Sequence, residues 1–283
     1  MAHLTPAQYA NALISSYFHD TVVLSAIGHA YFKDRLGRFL TSRIERDYHL
    51  SDHADQAIIQ FLSGYARRTC FLHRVPQHCV TVPAYMFTGV DVSNSVQGPD
   101  SIWYIIIDVA APYPAHVVPV NMFIPYADSA PARTQNVLSR TEMIPHFFVT
   151  TSGQIGVPIT GSFSLLAPNR PFGEHRTSLK VKFGWPGYAD YEGQIQFNST
   201  SRAGPTSISS RRLAELVAGQ KAETGVVACH DPGAGWRIGG HGGIRAHHLS
   251  LLCVIFVSPG AVMPILQTSI KPQTLPRLLG VSR

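Results

Sequence analysis

Residues 178–197, SLKVKFGWPGYADYEGQIQF, decide how the middle of this 283-residue chain folds. Apolar side chains alternate with lysines over residues 179–183, and apolar and polar side chains alternate again over residues 191–197. A period of two is typical of a strand that buries one face. Between the runs, Pro186 and Gly187 suit the two central positions of a tight turn. The stretch therefore predicts an antiparallel hairpin with one apolar face.

Two aromatic side chains, Trp185 and Tyr188, flank this turn. At the tip of a hairpin we expect both to be exposed, and Trp and Tyr are favoured anchors at protein interfaces. No catalytic constellation stands out elsewhere. We therefore interpret the chain as an interaction module for an unknown protein partner, with these two residues as the interaction candidates, and we favour a non-enzymatic role.

Composition restricts the class of protein. Only 14% of the residues are charged, against about 25% in ordinary soluble domains, which argues against disorder. The net charge is +6, but the basic residues are scattered, so we expect a solvated surface and no nucleic-acid partner. Four cysteines in this length indicate reduced thiols rather than a disulfide framework. With no secretory signal at the start, we expect an intracellular protein, cytoplasmic or nuclear.

The pattern along the chain predicts an α+β fold in three segments. Residues 1–75 indicate helices, 76–223 a β-rich body with a closing helix, and 224–283 a Gly/His-rich loop and an apolar tail. The helix that closes the body should begin after Ser209 and run to about residue 221, with Ile208 and Leu213 forming a hydrophobic staple. The other expected elements are helices from Thr5, from Asp20 to Tyr48, from Ser51 or Asp52 and over 132–143, and strands over 102–107, 117–124, 146–150 and 163–167.

The tail leaves several alternatives open. Residues 249–270 carry no charge, and about 20 apolar residues suffice for a membrane helix. Two buried strands broken at 258–260 explain the same letters, as does a poorly ordered tail. The glycine-rich run 231–243 could cradle a phosphate, but it has neither the lysine nor the frame of a phosphate-binding motif. We therefore favour a flexible loop.

One group of residues has the chemistry of a zinc site: Cys70, His73, His78 and Cys79 lie within ten residues. Their spacing matches no zinc-finger pattern, so we favour ordinary polar residues at a helix end and predict no cofactor. A second group has irregular loop spacing, which makes metal binding or a Cys–His nucleophile the less favoured interpretation. Its members are Cys229, His230, Asp231, His241, His247, His248 and Cys253.

Two alternative functions stay open. Asp108 ends a strand that should be buried, and a carboxylate in apolar surroundings usually has a partner. An enzyme could use Asp108 with His116 or His146 in a pocket at the strand ends. A self-assembling β-rich structural protein is the other alternative, because the proline-rich β body permits it.

The segment Leu179–Tyr188 and the phrase Ser207-Ile-Ser-Ser-Arg-Arg-Leu-Ala resemble a pattern in uncharacterised proteins of mushroom-forming fungi. In that family, a strand ending in Trp-Pro-Gly-Tyr leads to a helix opened by a Thr/Ser-Arg-x-x-Leu-Ala phrase. The resemblance covers residues 178–220. It implies a shared fold module and carries no catalytic residue.

Overall fold

The computed structural model describes residues 20–28, 69–70, 79–83, 95–97, 101–123, 132–133, 145–167, 171–172, 178–197, 208–223, 236–258 and 260–270. These residues form a strand-rich fold with few helices, which is a mixed α+β or β-rich class. The α-helices are α1 (Val22–Ile27) and α2 (Ser210–Glu223). The strands are β1 (Thr69–Cys70), β2 (Cys79–Pro83), β3 (Ser95–Gln97), β4 (Trp103–Val109), β5 (Pro145–Phe147), β6 (Val157–Pro158), β7 (Pro171–Phe172), β8 (Ser178–Phe183), β9 (Tyr191–Gln196), β10 (Ile208–Ser209), β11 (Leu249–Ser258) and β12 (Ala261–Thr268).

Two larger sheets share one apolar core. The first has the order β1-β2-β4-β3, and the second has the order β5-β11-β12-β8-β9, with β6 also pairing with β11. All of these neighbours run antiparallel except β12 and β8, which are parallel. The short strands β7 and β10 form a separate antiparallel pair. The second sheet is therefore mixed, with β11 and β12 at its centre.

The expected hairpin is present. Strands β8 and β9 are antiparallel, and Ser178 lies opposite Gln196. Leu179, Val181 and Phe183 are buried while the alternate positions are more exposed, as a period of two requires. On the outer face, Glu192 accepts hydrogen bonds from two lysines of β8, and these bonds lower its pKa to about 2.

The apolar run 249–270 forms the two central strands of the second sheet. Strands β11 and β12 are almost entirely buried and pair with each other from Leu249 and Thr268 to Ser258 and Ala261. The interpretation as two buried strands is confirmed for Leu249–Ser258 and Ala261–Thr268. No helix in the described part of the chain is both long and apolar enough to cross a membrane.

The closing helix lies where the pattern predicts it. The Ser209 hydroxyl accepts the backbone N–H of Arg212 at 3.1 Å, which satisfies one of the open donors at the start of α2. Ile208 and Leu213 are both buried, as the staple requires. Helix α2 packs against β9 of the hairpin and against β10 and β7.

Helix α1 is much shorter than the helix expected from Asp20 to Tyr48. Thr21, and not Asp20, is its N-cap residue, and the helix ends at Gly28, whose φ of 76° no L-residue adopts readily. Strand β4 is confirmed, since six of its seven residues are buried. The strand expected over 117–124 is wrong for the described residues 117–123, because only Val117 makes a ladder pair, with Gln267.

Several expected elements lie partly or wholly outside the described residues. This holds for the helices from Thr5 and from Ser51, for residues 29–48, and for 132–143 beyond its first two residues. The region 146–150 is strand β5 followed by single pairs at Val149 and Thr150. In 163–167 only Leu165 makes a pair, so that expected strand is wrong.

Candidate functional site

The structure places Trp185 in the interior and not at an exposed tip. Its side chain is 5% exposed, and its indole Nε1–H donates to the carbonyl oxygen of Trp236 at 2.6 Å. The Trp236 ring meets it edge to face, with 6.0 Å between ring centroids. The expected exposure of Trp185 is therefore wrong, because a segment fifty residues further along the chain covers the turn.

Tyr188, the second interaction candidate, is half-buried in the same cluster. Its hydroxyl accepts the backbone N–H of Ile238 at 2.9 Å, and its own N–H closes the turn on the carbonyl oxygen of Trp185. The two aromatic residues of the turn thus hold residues 236–238 through two hydrogen bonds. The large exposed apolar side chains of the described residues are instead Trp103 (52%) and Tyr113 (64%).

We call residues 236–248 the cationic loop. Ile238 and Ile244 pair as parallel backbone segments, and two backbone hydrogen bonds close the loop between Arg237, Gly239 and Ile244. Gly239, Gly240 and Gly242 have φ between 67° and 74°, which favours glycine. A Cβ at Gly243 would overlap the carbonyl oxygen of Gly239. The glycine-rich run is therefore a tightly closed loop over its described part.

Positive charge dominates this loop. Arg237, His241, Arg245 and His247 are exposed, and residues 236–270 contain no Asp or Glu. Neither arginine forms an ion pair with another described residue, whereas Arg211 and Arg212 of α2 share Glu215. Two arginines without an acidic partner among the described residues, and two histidines, are therefore exposed on a loop with a fixed base.

The two adjacent histidines at the end of the loop differ in role. The His247 and His248 rings lie 4.1 Å apart, and Nδ1 of His248 accepts the backbone N–H of Arg245 at 3.1 Å. Desolvation, followed by the charges of His247 and Arg245, lowers the pKa of His248. The bond to Nδ1 favours the neutral ring in the same direction, so His248 stabilises the loop as a neutral acceptor.

Asp108 caps helix α1 from a distant strand. Its carboxylate is fully buried and accepts the backbone N–H groups of Val23 at 2.9 Å, Leu24 at 3.3 Å and Val109 at 2.8 Å. The Thr21 hydroxyl is a further hydrogen-bond partner. Burial raises the pKa of Asp108 to about 7 against the opposing effect of these bonds. The expectation that this buried acid has partners is confirmed, and the partners belong to the helix N-terminus.

The histidines proposed as catalytic partners of Asp108 have other surroundings. The Nδ1–H of His116 donates to the carbonyl oxygen of Thr268, 3.0 Å away, and His146 is buried edge to face against Phe148. Neither ring is among the hydrogen-bond partners of Asp108. A shallow pocket beside His146 has a volume of about 50 Å³, far below the several hundred Å³ of ordinary ligand sites.

The proposed zinc ligands are described only in part. Cys70 and Cys79 occupy directly opposite positions on β1 and β2, while His73 and His78 lie outside the described residues. In the second group, Cys253 is a buried thiol of β11, whereas His241 and His247 are exposed. Cys229, His230 and Asp231 lie outside the described residues. Among the described residues, no three His, Cys, Asp or Glu side chains are arranged to hold a metal ion.

Sequence reasoning missed the cationic loop as a surface, although its signal was present. Two arginines and three histidines without a nearby acid stand out once residues 236–248 are considered as one loop. Comparisons of the chain with protein-family models, curated proteins and solved structures gave no match.

Proposed function

We propose that the protein is an intracellular interaction module, and that the cationic loop binds an acidic segment of a partner protein. One observation carries the proposal: Arg237 and Arg245 are exposed without an acidic partner among the described residues, on a loop anchored by Trp185 and Tyr188. A surface of one sign steers a partner of the opposite sign and contributes to specificity.

The rigidity of the loop base supports binding rather than a solvated surface without function. Ordering a mobile loop at an interface costs free energy, and a preorganised loop avoids much of that cost. Here the base is closed by its own backbone pair and by hydrogen bonds to the hairpin. The aromatic turn therefore contributes to binding indirectly, because it positions the arginines without touching the partner.

Charge reversal tests the proposal. A short fluorescein-labelled poly-glutamate peptide is titrated with the wild-type protein and with the Arg237→Glu/Arg245→Glu variant, and fluorescence anisotropy is measured. Each exposed ion pair contributes about 0.2–1 kcal/mol, so losing two attractions and adding two repulsions should cost about 2 kcal/mol. That cost corresponds to about 30-fold weaker binding.

The matched control is Arg211→Glu/Arg212→Glu, which changes the net charge equally at exposed positions of α2. This control should bind the peptide much more tightly than the loop variant does. Equal loss in both variants would mean that overall charge and not the loop governs binding. Tighter binding of a single-stranded oligonucleotide than of the peptide would also contradict the proposal.

A further inference from the structure

The β1–β2 pair places two cysteines directly opposite each other. In its antiparallel register, the backbone of Cys70 lies opposite that of Cys79, and Thr69 lies opposite Val80. Directly opposite residues on antiparallel strands have Cα atoms about 4.5–5.5 Å apart. Disulfides span Cα separations of about 4.4–6.8 Å. The backbone register therefore fits a disulfide without a rearrangement of the strands.

We propose that Cys70 and Cys79 form a redox site, which is a dithiol under reducing conditions and a cross-strand disulfide under oxidising ones. This inference does not depend on the proposed function. Cys79 is a buried thiol in the structure, and it also lies opposite Val109 on the neighbouring strand β4. The disulfide would thus covalently join β1 to a strand in the interior of the first sheet.

The other described thiol has no such neighbour in its ladder. Cys253 of β11 lies opposite Phe147 on one side and Ile265 on the other. Burial, and then the charge of Asp108, raises the pKa of its thiol well above the usual value. The thiolate is the reactive form of a cysteine, so the raised pKa makes Cys253 less reactive. Cys253 therefore serves as the control, as a buried cysteine outside the redox site.

A low-molecular-weight disulfide such as oxidised glutathione is the oxidant. One protein thiolate attacks a sulfur of this disulfide, and one small thiol leaves while a mixed disulfide forms. The second protein thiolate then attacks the protein sulfur of the mixed disulfide, and the second small thiol leaves. Two protein thiols are oxidised to one disulfide, the small disulfide is reduced to two thiols, and the two protein protons pass to the departing thiolates.

Oxidation of Cys70 and Cys79 to a disulfide would also prevent both residues from binding zinc. Cys70 and Cys79 are two of the four residues with zinc-binding chemistry, and zinc is bound by thiolates and not by a disulfide. The two states exclude each other. The oxidation experiment is therefore run with a chelator present, so that a bound metal cannot protect the thiols.

The full-length protein is equilibrated in glutathione buffers from fully reduced to fully oxidised, then alkylated and digested with trypsin without reduction. Cleavage after Arg68 and Arg74 puts Cys70 in peptide 69–74 and Cys79 in peptide 75–133. These two peptides remain joined only if the disulfide has formed, with a mass about 2 Da below their sum because two hydrogens are lost. The same series is repeated in urea, where the register is lost.

The expected result is that peptide 69–74 is linked to peptide 75–133. The equilibrium constant for forming this disulfide in glutathione buffer should be at least about tenfold larger in the native protein than in urea. The link should persist in Cys253→Ser and in Cys229→Ser. No link under fully oxidising conditions would overturn the proposal. A predominant link from Cys70 or Cys79 to Cys229 or Cys253 would also overturn it. Equal equilibrium constants for disulfide formation in the native and the unfolded chain would do the same.

Discussion

Replacing Asp108 with asparagine should change how stability depends on pH. The folded protein raises the pKa of Asp108 from 3.8 to about 7, chiefly through burial. The folded state therefore holds the proton more tightly than the unfolded state does. The stability that this proton contributes is complete below about pH 4 and is lost as the pH rises through about 7.

The magnitude follows from the pKa difference. At about 1.4 kcal/mol for each pH unit between the two pKa values, this group alone makes folding about 4 kcal/mol less favourable at pH 8 than at pH 4. Asparagine is a neutral group of the same shape and lacks this term. From pH 4 to pH 8, the free energy of unfolding of the variant should therefore rise by about 4 kcal/mol relative to that of wild type.

A second effect of Asp108→Asn does not depend on pH. The amide oxygen can still accept the N–H groups of Val23 and Val109, but the amide nitrogen then faces the N–H of Leu24. Leaving one donor without an acceptor costs about 1–3 kcal/mol. The variant should thus be less stable than wild type near pH 4, and equal to it or more stable near pH 8.

Urea unfolding followed by tryptophan fluorescence at several pH values gives the difference in unfolding free energy between variant and wild type. Other titrating groups cancel in this difference. Asp190→Asn removes a carboxylate from the exposed surface and controls for the change in net charge. The prediction is contradicted if this difference stays constant from about pH 4 to about pH 8, or if the variant becomes less stable relative to wild type as the pH rises. Either result would show that the four hydrogen bonds to Asp108 lower its pKa at least as much as burial raises it.

Three further variants test other contacts. Trp185→Ala should lower the free energy of unfolding by about 3–5 kcal/mol, because the ring is buried against Trp236 and Phe183. Urea unfolding measures this change, and a loss below about 1 kcal/mol would contradict the burial of Trp185. Thr81→Val should be neutral or should stabilise by about 1 kcal/mol, since the buried Thr81 hydroxyl has no hydrogen-bond partner among the described residues; calorimetry measures this, and clear destabilisation would indicate a missed partner. Gly156→Ala should cost more than about 1 kcal/mol, because φ is 102° and the added Cβ would lie 2.7 Å from Cδ2 of Leu252; unchanged thermal unfolding would contradict that geometry.

Local patterns in the sequence predicted the hairpin and the closing helix. The period of two over residues 179–183 and the cap and staple at Ser209 and Leu213 are properties of neighbouring residues. They therefore formed as expected. The strand β4 was also predicted, because a short apolar run bounded by turn residues is typical of a strand buried on both faces.

Contacts between distant residues could not be predicted. Trp185 is buried because residues 236–238 return to cover it, and the turn itself holds no sign of that. Likewise, Asp108 finds its partners 84 and 85 residues earlier in the chain. The sequence indicated that a buried carboxylate needs partners, but it could not name a helix N-terminus as their source.

The apolar tail shows why composition alone is ambiguous. An uncharged run of this length fits a membrane helix and two core strands equally well, and only the turn residues near 258–260 favoured the strands. The parallel pairing of β12 with β8 is set by the position of both strands in the sheet. Cys70 and Cys79 became a pair only once the register of β1 and β2 was known.

Hydrogen–deuterium exchange with and without an acidic peptide tests the central claim most directly. If the cationic loop is the contact surface, bound poly-glutamate peptide should slow exchange in peptides covering residues 236–248 and leave those covering β11 unchanged. The protection should disappear near 1 M salt, where the Debye length is about 3 Å, and in Arg237→Glu/Arg245→Glu. Protection that falls instead on α2 or β9, with none over residues 236–248, would contradict the account.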